Sequence, residues 1–356
     1  MIKLLGRIIV AFVFYIGVVQ ISSAASTATD SATKEEAKSA IQCTGVNLIP
    51  AMQRDQPDLA NAMRQEADET LYGEGLIWKI EKDGLKPSYL FGTIHLADPR
   101  LLALKPSARK ALDESTTLAL EITEILDPKK LAGIAFSALQ YTTYTDGTTL
   151  ADKLTKEQAE TIDAAVREKL GLPWSLASRM KPWALMGALG LPACEMERKK
   201  AQLPVVDAYL GQLAQSQDKQ IVPLETMIGQ LQAMDSLPED VSLQGLVQSV
   251  SLGTRLDDLF ETMIQLYLEE QTALVWSLMR RVGVDGFVAK QDSAEYAAFQ
   301  REIVDRRNIT MAAESEKFIL QGGGVFIAVG ALHLPGEMGM LNILAQKGYR
   351  ISRIID

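Results

Sequence analysis

Basic residues are in the minority in this chain: 36 Lys and Arg stand against 45 Asp and Glu, a formal charge of −9 over 356 residues. An acidic balance with no basic stripe repels phosphate backbones and excludes nucleic acid as a partner. Histidine and cysteine are scarce, at two each. The Gly-x-Ser-x-Gly elbow, the Gly-x-Gly-x-x-Gly fingerprint and the P-loop are all missing, which removes the local signatures of serine hydrolases and nucleotide binders. No segment beyond the first residues is long and apolar enough to span a bilayer. No cysteine closely follows the first apolar run, which argues against a lipid-anchored amino terminus.

What is present begins at that run. Lys3 and Arg7 precede the apolar residues 8–19, and the small residues Ser22, Ser23, Ala24 and Ala25 follow. This is the pattern of a secretory signal peptide, residues 1–24, cut before Ala25; an uncleaved anchor is the competing reading. Cleavage removes Lys3 and Arg7 and takes the formal charge from −9 to −11. The expected location is therefore periplasmic or secreted, with no membrane span in the mature chain. Residues 25–42 are small and polar and read as a flexible spacer, so the folded domain is expected over 43–356. In an oxidising compartment Cys43 and Cys194 are expected to pair and tie the amino-terminal segment to the middle of the chain; two unlinked thiols are the alternative.

Residues 46–72 carry apolar residues at helical intervals, broken near Asp55, Pro57 and Asp58, which predicts one or two short helices. LIWKIE and SYLFGTIH read as two strands joined by a turn at Lys82, Asp83 and Gly84. A helix over 106–114 and a buried strand over 116–122 follow, the latter carrying Glu121. The stretch 127–320 is mostly helical in pattern, interrupted by one strand at 220–225, where Pro223 predicts an edge or terminal position. The pattern over 254–281 predicts a helical hairpin or lid. Gly322, Gly323 and Gly324 precede a strand and read as a turn. The last residues read strand, helix, Gly348, strand, a βαβ-like unit. The expected class is α/β or α+β, a central mixed sheet flanked by helices with a large helical insertion at about 127–320.

The two histidines carry the sharpest signal. FGTIHL (91–96) and VGALHL (329–334) place Gly, His and Leu at the same spacing, each after a strand and before a proline. The repeat predicts the same local structure twice. Glycine at a strand end lets the chain turn or another group approach closely, and the histidine then emerges at the carboxyl end of the strand, where open α/β sheets bind ligands. Imidazole serves equally as a metal ligand or as an acid or base at neutral pH, and two in one crevice favour a metal. Glu121 is a candidate third ligand or general base; two His and a carboxylate leave room for an activated water. Mn, Co, Fe and Zn all accept such donors. Taken singly, each of these residues has a structural reading: a hydrogen-bonded core histidine, or a strand-end ion pair for Glu121. Asp98 is expected to cap a turn with Pro99, with a hydrogen bond to His95 as the alternative.

At these residues the chain resembles the TraB/GumN family, which is related to TIKI-type metalloproteases and more distantly to erythromycin-esterase and ChaN-like proteins. The resemblance rests on YLFGTIHLADPR, on the ALE of 119–121, on LET at 224–226 with Gln230, on Arg307 and Asn308, and on VGALHLPGEMGMLNILAQKGY. It implies an EreA/ChaN-like fold and a site of His95, Glu121, His333 and Arg307. The metal set would be His95, Glu121 and His333 with a divalent ion, Mn, Co or Zn. Arg307 would clamp an anion or oxyanion; a surface position beside Arg306 is its other reading. Glu225 and Gln230 match the family's middle motif without an evident role. Asp207 stands where the family often has Gly-x-Asp, but the Gly position is Pro204 or Val205 here, which puts any function for Asp207 in doubt. The implied activity is an exported metal-dependent hydrolase of peptidase type acting on a peptide or small-molecule substrate. The alternatives are a periplasmic protein binding haem, metal or peptide without turnover, and a scaffold with a relic site.

Overall fold

The structure, a computed structural model, describes residues 41–283, 286, 287 and 294–356. The expected leader and residues 25–40 of the spacer lie outside the described residues. The strands are β1 (Ile77–Glu81), β2 (Ser88–Thr93), β3 (Thr117–Leu120), β4 (Gln220–Pro223), β5 (Val282–Gly283), β6 (Gly286–Phe287), β7 (Val325–Gly330) and β8 (Arg350–Arg353). Six of them form one sheet in the order β4-β3-β7-β2-β1-β8. β2 pairs in parallel with β7, β7 with β3 and β3 with β4, while β1 is antiparallel to both β2 and β8. The sheet is therefore mixed, with β1 alone running against the rest. Pro223 lies on the edge strand, where its missing N–H costs no ladder bond.

β7 is central and covered on both faces, which is why VFIAV is a continuous apolar run. Side chains alternate across the sheet. Phe91, Leu118, Leu120, Phe326 and Ala328 face helices that include Pro57–Asp68, Pro106–Glu114, Arg255–Leu268 and Thr272–Met279. Leu90, Ala119, Val325, Ile327 and Val329 face Arg306–Ile319 and Met340–Gln346. Each large apolar side chain buried this way stabilises the fold by about 1.5–3 kcal/mol before chain entropy is set against it. The helical middle builds a further core, from Ile122 to Val304, with no strand of the six-stranded sheet among its buried residues.

The hairpin, the helix over 106–114, the paired helices Ile49–Asp55 and Pro57–Asp68, and the helical pair over 255–279 lie where the patterns place them. One difference is the short β5–β6 hairpin, which adds a second strand region to the helical stretch. Two-residue strands are too short to leave a period in the sequence. Cys43 and Cys194 are joined, with Cα atoms 5.3 Å apart and a sequence separation of 151.

The parallel set decides what the fold brings together. β2, β3, β4 and β7 all end at one edge of the sheet, so the residues that follow them emerge side by side: His95 after β2, Glu121 after β3, Glu225 after β4 and His333 after β7.

Candidate functional site

Although the two histidine segments share spacing, they do not share conformation. β2 and β7 are adjacent, but their register sets Gly92 opposite Val329 and Thr93 opposite Gly330. Residues 94–96 run on as irregular backbone, whereas Ala331–His333 forms a 3-10 turn. The expectation of one local structure repeated is thus corrected. Packing is the reason: a side chain at Gly92 would meet the Cα of Ala331 at 2.9 Å, so the second segment turns across the first and the two cannot be copies. Gly330 serves the close approach of another group. Its N–H donates to Glu121 Oε1 at 2.7 Å, and a Cβ there would lie 3.6 Å from His95 Nε2.

Both imidazoles are oriented through Nδ1. His95 Nδ1 lies 2.8 Å from Asp207 Oδ2, and Asp207 Oδ1 accepts from the Thr93 hydroxyl at 2.8 Å. His333 Nδ1 lies 2.6 Å from Asn308 Oδ1. The Asn308 amide is set by its other end, because Nδ2 donates to the Met338 carbonyl at 2.8 Å. His333 therefore donates from Nδ1 and carries its lone pair on Nε2. Both Nε2 atoms turn toward the same oxygen, Glu121 Oε1, at 3.8 Å from His95 and 3.9 Å from His333.

Glu121 is 3% exposed and its second oxygen is occupied from the far side. Arg307 Nη2 donates to Oε2 at 2.6 Å and Gln230 Nε2 at 3.0 Å. The same guanidinium binds Glu225 through Nε and Nη2, and its Nη1 donates to the Ile303 carbonyl and lies 3.4 Å from His333 Nε2. Arg307 is 4% exposed, so the surface reading is corrected; its neighbour Arg306 is the exposed one. It follows a π-helical turn, Gln300–Asp305, of the kind that often marks functional sites.

These contacts set the charges. Burial works against ionisation of Glu121, but Arg307 and then the two imidazoles outweigh it and hold the carboxyl well below the usual range. Burial likewise opposes charge on His95, yet Asp207 outweighs it and the pKa is pushed up to about 9. Burial and then Arg307 drive His333 down to about 3. The two imidazoles thus differ by their partners, an anion for one and a neutral amide for the other.

With only two histidines in the chain, imidazole NMR tests this directly. In metal-free protein, His95 is expected to titrate near 9 and His333 to stay neutral down to about 3. Since the His95 value lies above the ordinary one of about 6.5, its pairing stabilises the metal-free fold fully below that pH and is lost as pH rises through about 9. Asp207→Asn should bring His95 back toward its ordinary value and leave His333 unmoved. Two histidines titrating together near about 6.5 would refute the assignment.

The donor set fits a divalent cation. Both imidazoles present Nε2 to one carboxylate, and each has its Nδ1 held by an acceptor, the arrangement that orients metal-bound histidine. Glu121, Asp207 and Glu225 against Arg307 leave two negative charges when both imidazoles are neutral. The protonated His95 of the metal-free form supplies part of the missing positive charge. A tighter cluster, Cys43, Asp98 and Glu195, has its ligand atoms within 4.8 Å of one another. It offers no metal centre, because the Cys43 sulfur is in the disulfide and both carboxylates bind Arg198.

Asp98 caps the turn Pro99–Leu102 and pairs with Arg100, which is its structural reading, and no hydrogen bond between it and His95 is found among the described residues. Asp207, doubtful from sequence, is buried against His95. Asn308, Glu225 and Gln230 also join the site. For Asn308, Glu225 and Gln230 the available signal was their place in the family's motifs; for Asp207 it was the family's Gly-x-Asp position, weakened because Pro204 or Val205 stands in place of the glycine.

The family model described as TraB/PrgY/gumN matches residues 76–353. The protein named Metalloprotease TIKI1 from Danio rerio is 24% identical over 317 residues, which cover 77% of this chain and 62% of that protein. The chain thus spans less than two thirds of that relative's length. No solved structure matches.

Proposed function

This chain belongs to the TraB/PrgY/gumN family, and from that premise we propose that it is an exported metal-dependent hydrolase of peptidase type. The observation that carries the reading is the convergence of the His95 and His333 Nε2 atoms on Glu121 Oε1, with each Nδ1 held from behind. The name of the Danio rerio relative supports metal-dependent proteolysis, and the disulfide supports export to an oxidising compartment.

His95, Glu121 and His333 would hold the ion, with Mn, Co or Zn all compatible with the donors. Bound there, it would polarise a scissile carbonyl and acidify water. Glu121 acts as ligand rather than base: a carboxyl held so far below its usual range by Arg307 has little appetite for a proton. Asp207 and Asn308 orient the imidazoles, and Glu225 and Gln230 lock Arg307 and Glu121 in place. Arg307 Nη1, now beside His333 Nε2, is the donor best placed to meet negative charge developing on a substrate oxygen.

Metal analysis of the mature protein, with His95→Ala and His333→Ala, tests this. Wild type is expected to retain a stoichiometric divalent ion and each variant to lose it, with peptide cleavage abolished by chelator and restored by the ion. Retention identical in wild type and the double variant would sink the reading. Retention without any cleaved peptide would leave a binding protein.

A further inference from the structure

Beside the histidines lies an apolar cleft that is partly open to solvent. Its walls include Met263, Val275, Trp276, Phe299, Ile303 and Leu332, and the site residues His95, Gly330 and His333 line it as well. Apart from the imidazoles, no lining residue among the described residues is ionisable below the range of tyrosine. The aromatic walls are anchored by their polar edges: Tyr267 donates its hydroxyl to the Gly92 carbonyl at 2.8 Å, and Trp276 Nε1 donates to the Leu332 carbonyl at 3.2 Å. Those two carbonyls belong to the two histidine segments. The rings therefore spend their hydrogen bonds on the histidine backbone and show the cleft their apolar faces.

We propose that this cleft is the subsite for a large apolar side chain, aliphatic or aromatic, of the peptide substrate, seated next to the bond that the histidine site cleaves. The inference rests on the hydrolase reading and adds its specificity. Beyond the site's own imidazoles the described walls offer a charged side chain no counter-charge, whereas an apolar one is drawn in by the surface it removes from water. Gly330 lies where the cleft meets the site: a Cβ there would stand 3.4 Å from Glu121 Oε1 and 3.5 Å from His333, in ordinary contact with both.

Direct binding tests the cleft without turnover. Calorimetry on the full mature protein, with and without metal, would compare the N-acetyl amides of phenylalanine, leucine, glycine and aspartate. Phenylalanine and leucine are expected to bind at least about tenfold more tightly than glycine, with aspartate weakest. Val275→Phe fills the cleft and should erase that preference; Phe299→Ala enlarges it and should shift the preference to a naphthyl side chain, which covers the case of a misfolded Val275→Phe protein. Equal binding of glycine and phenylalanine amides would overturn the proposal, as would tight binding of octanoate with none of the amides. Apolar preference in a protein that cleaves nothing supports the cleft and counts against the hydrolase; cleavage indifferent to the apolar side chain counts against the cleft alone.

Discussion

Glu121→Ala is expected to lower the free energy of unfolding by about 3–5 kcal/mol and to abolish retention of a divalent ion. The carboxylate is buried and each oxygen is occupied, Oε1 by the Gly330 N–H and Oε2 by Arg307 and Gln230. Removing it leaves Arg307, itself buried, with Glu225 as its carboxylate partner among the described residues. It also strands the partly buried Gly330 N–H, which adds to the loss within that total. Because the Glu121 value in the fold lies below that of the unfolded chain, its contribution is present above about pH 4.3 and is lost as pH falls through the folded value. Urea titrations of both proteins at pH 7, stripped of metal, measure the loss. A change under about 1 kcal/mol would mean that the guanidinium stays balanced without Glu121.

Opening the Cys43–Cys194 bridge is expected to cost about 2–5 kcal/mol, near the upper end because the loop it closes spans 151 residues. The effect should reach the site. Cys194 lies in the helix Ala193–Lys200, whose Glu195 accepts from the Ala97 N–H at 3.0 Å and whose Arg198 pairs with Asp98 at 3.1 Å. The bridge thus fastens the segment that carries His95. Cys43→Ser with Cys194→Ser should lower the melting temperature and weaken metal retention, with the His95 imidazole resonance changed more than that of His333. A melting temperature unmoved by reductant would contradict the expected loss.

Much of this architecture was legible in local patterns. Strand ends marked by Gly92 and Gly330 predicted where both histidines emerge, the apolar run of β7 announced a strand buried on two faces, and Pro223 announced an edge. These features follow from backbone conformation and side-chain burial at single positions, which neighbouring residues report. The pairing of Cys43 with Cys194 was also expected, with two unlinked thiols as the alternative, because the leader pattern pointed to an oxidising compartment.

Asp207 was not legible, nor was the burial of Arg307. Asp207 stands 112 residues from His95 and Arg307 stands 186 from Glu121, so no local spacing couples them. Contact exists because β2, β7, β3 and β4 run in parallel and end at one edge. The two histidine segments show the same division: their shared Gly-x-x-His-Leu spacing is a property of the sequence, but packing one against the other forced different conformations and different Nδ1 partners. Sequence by itself determined which residue types stand at the strand ends, because each strand is specified by its own alternation and turns. Only the tertiary structure decided which charges meet, which imidazole is protonated and where the apolar cleft opens, because those depend on distances across the sheet that no single strand contains.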